Sequence, residues 1–442
     1  MKTLRLLPLT LAISAAWVLP AQAQSLVALY QSAKSFDASY QSAKSQYEAS
    51  LAKGEQARAA VLPSVGLAMG VNRVNIASDV PAIETDFGNQ SATLSASQPL
   101  YRPANTATAR QGEKAAALAQ AQLQAAGQDL IVRVSQAYFD VLAAQDSLTF
   151  VRLQKAAVAE QLASAKRNFE VGTATITDTR EAQSSFDLVS AQEIAADNDL
   201  HVKQLALDQV TGKTGADPKP VQLPVTLPAI NPGDVAPWVS QSENINPSIV
   251  QARLGLEVAQ LETQKAQAGN RPTLDLVGSY AVTQNNGTSN ASSPVQDYRT
   301  NVAAIGLSFN LPLFAGYAIQ NRIKETLALE DKSRSDLEAA RRAVAQATRS
   351  AFFGVQSGLS QVKALEAAQT SSQSALDATK LGYQVGVRIN IDVLNAQTTL
   401  FDTKTKLARA RYDVLLGGLK LRQANGSLQE GDLAALNALL VP

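Results

Sequence analysis

The chain has no cysteine and only one histidine, His201. Without thiols it can form neither a disulfide framework nor a thiolate metal site. A lipid on an N-terminal cysteine is excluded as well. A lone mid-helix histidine cannot supply the paired imidazoles of a zinc site, so His201 reads as structural. Aromatic residues make up only 5% of the chain, against 45% hydrophobic residues in all. Much of that hydrophobic share is alanine, which suits close helix packing better than one thick core. Charge of one sign is missing too. The 39 Lys and Arg against 38 Asp and Glu leave a net +1, so nothing points to nucleic acid as a partner. After residue 23 no run of about 18 apolar residues occurs, so no transmembrane helix is expected. Gly212-Lys213-Thr214 has the ending of a phosphate loop, but Leu207 stands where that motif requires glycine. No catalytic constellation emerges, and neither a cofactor nor a metal is expected.

At the start of the chain, Lys2 and Arg5 precede a mostly apolar run from Leu6 to Leu19. Ala21-Gln22-Ala23 then gives an Ala-x-Ala cleavage pattern. Residues 1–23 are therefore expected to be an export signal. A membrane anchor is the alternative, but the apolar core is short and ends in a cleavage site.

The next feature is a duplication centred on residues 381–397. There Tyr383-Gln384-Val385-Gly386-Val387-Arg388 leads to Asp392 and Gln397. A similar stretch occurs earlier, with Val171-Gly172-Thr173, Asp178 and Gln183. Gly172, Asp178, Gln183 and Gly212 match Gly386, Asp392, Gln397 and Gly426 at a constant offset of 214. Tyr138-Phe139 matches Phe352-Phe353 at the same offset. An offset this constant implies two structural repeats, residues 24–212 and 238–426. Residues 213–237 hold six of the 17 prolines and read as an extended linker along the outside. Residues 427–442 form a less regular tail.

Each repeat has the same order. A helix, residues 25–60 or 238–269, stops near Pro63 or Pro272. A strand follows with an apolar face at period two: Val65, Leu67, Met69 and Val71, or Leu274, Leu276, Tyr280 and Val282. Polar loops are expected at 75–87 and 284–296. The second strands present Ala92, Leu94 and Ala96, or Ile305, Leu307, Phe309 and Leu311, and end at Pro99 and Pro312. Long helices then cover about 105–169 and 320–383, and return helices lead away from the turns. Ile131, Val134, Tyr138, Val141, Gln145 and Leu148 form a coiled-coil seam, as do Leu400, Thr403, Leu407, Ala410 and Val414. A 65-residue helix would reach roughly 100 Å, too long for an ordinary globular domain. Gly172 and Gly386 suit helix-closing turns. Asn390 or Asp392 is placed to cap the second return helix, and Asp178 with Glu181 to form a capping box on the first. Four strands cannot close a barrel alone, but a membrane barrel must have no open edge. A barrel built from several chains is the expected solution.

These residues resemble the TolC-like outer-membrane channel proteins of Gram-negative bacteria, over essentially the whole chain after residue 23. The markers are Arg271-Pro272-Thr273-Leu274-Asp275-Leu276, Leu311-Pro312-Leu313-Phe314 and residues 381–397. Lacking cysteine, the chain is more similar to TolC proper than to the lipid-anchored multidrug subfamily. The resemblance implies a mainly α fold with a membrane β-barrel. A homotrimer would make a twelve-stranded barrel in outer-membrane lipid and an α-helical tunnel across the periplasm. It further implies a passive exit duct for efflux or type I protein secretion. Its partners would be a periplasmic adaptor and an inner-membrane transporter of the ABC or RND type. From the residues alone, a periplasmic coiled-coil adaptor or scaffold is the alternative, and the proline-flanked strands count against it.

The resemblance also assigns roles at the turns. Asp392 becomes an aperture acid, while Asn395 departs from the family, which has a second acid there. A trimer would then carry fewer aperture carboxylates, with weaker cation preference and divalent block. Tyr383 and Arg388 become restraints of the closed state, with Thr177 and Asp178 as their partners and Gln161 as a further restraint. Val171, Gly172, Thr173, Val385, Gly386 and Val387 become adaptor-docking tips.

Overall fold

The computed structural model describes residues 24–79, 82–222, 224–287, 289–290, 293–294 and 297–441. The expected export signal lies outside the described residues, as do single positions of the expected loops, linker and tail.

Helices α1 (Leu26–Phe36) and α2 (Ala38–Arg58) open the described chain. They are separate, where the sequence suggests one continuous helix. Asp37 makes the break: its N–H donates to Ala33 O to close α1, and its carboxylate accepts from Tyr40 N–H to open α2. Strands β1 (Ser64–Asp79) and β2 (Ala82–Tyr101) follow, then α3 (Pro103–Glu170) and α4 (Ile176–Thr211). The second half repeats this order. It contains α5 (Val235–Ile245), α6 (Pro247–Ala268), β3 (Thr273–Gly287), β4 (Tyr298–Asn310), α7 (Ala318–Gln384) and α8 (Asn390–Asn425). Asn246 separates α5 from α6, again where one helix is expected. A ninth helix, α9 (Glu430–Asn437), forms in the tail that the sequence leaves irregular.

The strands form one antiparallel sheet in the order β1-β2-β3-β4. They are longer than their apolar faces suggest, because β1 and β2 continue through the expected loop at 75–87 in unbroken register. A ladder satisfies backbone polar groups whatever the side chains are, so polar residues do not end a strand. Arg73 holds Asp86 across this hairpin. Among the described residues, β1 and β4 each keep one unpaired edge. Val65, Leu67, Met69, Val71, Ile305, Leu307 and Phe309 are all exposed, and β4 is exposed at every position.

Below the sheet, α3 is 68 residues long and α7 is 67, so each runs for about 100 Å at 1.5 Å per residue. Helices α2, α3, α6 and α7 lie side by side nearest the sheet. Lys114–Glu257 and Arg322–Glu262 ion pairs join α3 to α6 and α6 to α7. Arg102, just before α3, grips the buried Asp275 of β3 at 2.5 Å. At mid-height a core gathers Leu26, Leu29 and Tyr30 with Leu130, Val134, Tyr138 and Leu142 of the expected seam region, and with Leu415, Leu419, Leu433 and Leu436. The seam is one edge of a wider apolar stripe that also takes in Leu130, Phe139 and Leu142. The 213–237 segment crosses this level. Tyr138 Oη donates to Lys219 O at 2.8 Å, and Trp238 Nε1 donates to Pro232 O at 2.9 Å. Tyr412 Oη donates to Asp146 at 2.7 Å, joining α8 to α3. Burial there pushes the Asp146 carboxyl up from the ordinary range.

Candidate gate and docking tips at the helix turns

The two helix pairs, α3–α4 and α7–α8, each end in a tight turn at the far end from the sheet. The turns share one backbone pattern. Gly172 and Gly386 take φ of 80° and 78°, a region nearly closed to residues with a Cβ. Gly172 N–H donates to Phe169 O and Thr173 N–H to Asn168 O; Gly386 N–H donates to Tyr383 O and Val387 N–H to Gly382 O. These bonds use carbonyls that the helix end leaves free. Val171, Val385 and Val387 are left exposed at the ends.

The turns differ in how the return helix begins. In the first, Thr175 and Asp178 form a capping box: Thr175 Oγ1 accepts from Asp178 N–H and Asp178 Oδ2 accepts from Thr175 N–H. The box uses Thr175, not the expected pairing of Asp178 with Glu181. In the second, Ile389 stands where the repeat has Thr175, and α8 has no side-chain cap. Neither Asn390 nor Asp392 caps it, contrary to the sequence expectation. Relieved of capping, the Asp392 carboxylate lies 3.6 Å from Arg388 Nη1. The Arg388 stem crosses Gly382, where a Cβ would stand 2.8 Å from Arg388 Cγ.

Contacts between the pairs are partly those expected. Gln161 Nε2 of α3 donates to Asn390 Oδ1 at 2.5 Å, and Asn390 Nδ2 donates to Asp178 O at 3.2 Å. Asn168 Nδ2 donates to Tyr383 Oη at 3.3 Å. Leu394 of α8 is buried among Val158, Leu162, Ala165, Ala182 and Val189. Thr177 is exposed, and among the described residues no hydrogen bond joins Arg388 or Tyr383 to Thr177 or Asp178. Asn395 is also exposed, one helical turn beyond Asp392. Asn168 is absent from the sequence-based set, and Asn390 enters it only as a candidate helix cap. The duplication does carry a sign of them, since Asn168 aligns with Gly382 and Asn390 with Ile176, two breaks in the repeat beside conserved turn geometry.

One end of the chain is thus a sheet with open edges, and the other is two long helix pairs. The chain belongs to the outer membrane efflux protein family, whose pattern it matches over residues 29–213 and 238–427. It is 34% identical to outer membrane protein TolC of Salmonella enteritidis, over 100% of this chain and 90% of that protein. It is 30% identical to the alkaline protease secretion protein AprF of Pseudomonas aeruginosa, over 87% of this chain and 80% of that one. Its fold matches the crystal structure of the outer membrane protein VceC of Vibrio cholerae with a TM-score of 0.78 at 18% identity, covering 91% and 96% of the two chains. The protein is an outer-membrane exit duct of the efflux and secretion class, extending into the periplasm.

Proposed function

We propose that three copies of this chain form the duct, each contributing four strands to a twelve-stranded barrel and two helix pairs to a periplasmic tunnel. The repeats at 24–212 and 238–426 are its two structural units per chain. The turns carry the control. Val171, Gly172, Thr173, Val385, Gly386 and Val387 meet a periplasmic adaptor, and an inner-membrane transporter of the ABC or RND type supplies the energy. Asp392 lines the aperture, and Tyr383 and Arg388 restrain the closed state, with Gln161, Thr177 and Asp178 on the facing pair. The secretion relative favours polypeptide cargo, and the family description favours efflux.

The observation that carries the gate is the asymmetry of the tips. The first is locked locally by its capping box, whereas the second keeps its acid and guanidinium for each other and reaches the first pair through side chains alone. The test is single-channel conductance of detergent-purified protein in planar bilayers. The parent should show a small, stable conductance, and Tyr383→Phe with Arg388→Ser should raise it severalfold. Unchanged conductance from intact trimers would remove these residues from the gate.

A further inference from the structure

One side chain at the start of α8 makes two hydrogen bonds to the facing helix pair. Asn390 opens α8 and is only 1% exposed. Both ends of its amide are used, and both partners lie on the other pair: Gln161 of α3 donates to it, and it donates to the Asp178 carbonyl at the start of α4. An amide with donor and acceptor both engaged has one satisfied orientation. Nothing in its own turn requires it, because the helix starts at Ile389 without side-chain capping. The matching position in the first repeat is Ile176, which is 49% exposed. The second repeat thus has a buried polar group where the first has an exposed apolar one.

We propose that Asn390 is an intrachain latch, which holds the α7–α8 pair in register against α3–α4 and so sets how far the duct populates its closed state. The proposal rests on the reading of the turns as a gate. The apolar contact made by Leu394 is non-directional and tolerates sliding. The two amide bonds fix one position, and a shift of α8 by a single turn breaks both. The Arg388–Asp392 pair cannot do this within one chain, since both residues sit on the same turn and travel together.

The test compares Asn390→Leu, Gln161→Leu and their double variant with the Tyr383→Phe/Arg388→Ser reference. Each assembled protein is inserted in planar bilayers, with melting and native electrophoresis run alongside. Asn390→Leu should shift the closed-to-open ratio roughly tenfold toward open for each chain, the scale of one or two net hydrogen bonds. Gln161→Leu should do less, and the double variant no more than Asn390→Leu, because the two share a bond. A purely structural asparagine would lower the melting temperature and leave the ratio unmoved. If the reference opens and Asn390→Leu does not, the latch is wrong and the gate stands. Fully additive effects also overturn the latch. If the reference stays shut as well, the gate reading falls and takes the latch with it. Should Asn390→Leu fail to assemble, Gln161→Leu decides, and a ratio equal to the parent's rejects the proposal.

Discussion

Asn395 shows how much one position changes at the second turn. It sits three residues after Asp392 on an exposed helix face, so an acid there would stand one turn from the first. Asp392 itself is partly offset by Arg388 at 3.6 Å. The anionic field at this turn is therefore one carboxylate per chain, reduced by a neighbouring cation. Clustered acids in a narrow mouth concentrate cations, so Asn395→Asp should increase cation selectivity and lower the divalent concentration needed for half-block. Reversal potentials in a salt gradient and a divalent titration from the periplasmic side measure the two effects. An unaltered block would place this face of α8 away from the conduction path. The Asn395 departure is legible in the sequence because the surrounding motif fixes what belongs there. Asn390 is not, because an asparagine in the first turn of a helix reads as a cap. Its partners lie 229 and 212 residues away, and only the tertiary fold brings them together.

At the scale of elements, long helices and the paired turns can be read from the sequence because periodicity and glycine placement are local signals. Helix breaks and strand ends are harder. The Asn246-Pro247 break has a sequence sign, since proline disfavours helical conformation in the residue before it. Asp37 lies between Phe36 and Ala38 with no proline or glycine near it, and a remote arginine also holds its carboxylate. Both carboxylate oxygens of Asp37 accept from Arg133 of α3, at 2.8 and 3.0 Å. The hydrogen bonds from Arg133, with help from the Tyr40 N–H, hold the Asp37 carboxyl below its usual value of 3.8 despite burial. A depressed folded value means that the stabilisation is complete above the unfolded value and is lost as pH falls through the folded one. Asp37→Ala should therefore cost about 2 kcal/mol at neutral pH, combining a lost cap with a lost charged hydrogen bond. The gap between parent and variant should narrow as pH falls below the usual carboxylate value of 3.8. Thermal melts of both proteins across that range measure it, and a gap independent of pH would show that the carboxylate's charge contributes nothing.

The whole molecule leaves two demands that one chain does not meet. Its sheet has open edges at β1 and β4 among the described residues, which a bilayer does not tolerate. Its helix α4 presents Leu188, Ala191, Ala195, Asn198, Val202 and Leu205 to the outside, all exposed. Their spacing of 3, 4, 3, 4, 3 is a coiled-coil seam with one polar break, and its partner lies nowhere in the described chain. A ring of identical copies meets both demands together, because each chain's open edges and outer helix then face a neighbour. Burying a leucine or valine contributes about 1.5–3 kcal/mol, and the seam recurs at every interface of a ring. Val202→Asp with Leu205→Asp should then weaken assembly while sparing each chain's own fold, since neither residue packs into an intrachain core. Analytical ultracentrifugation in detergent should show a shift from trimer toward monomer, with helical circular dichroism unchanged. Trimers as heat-resistant as the parent's would mean that α4 faces lumen or solvent in the assembly, and that the barrel strands alone hold the copies together.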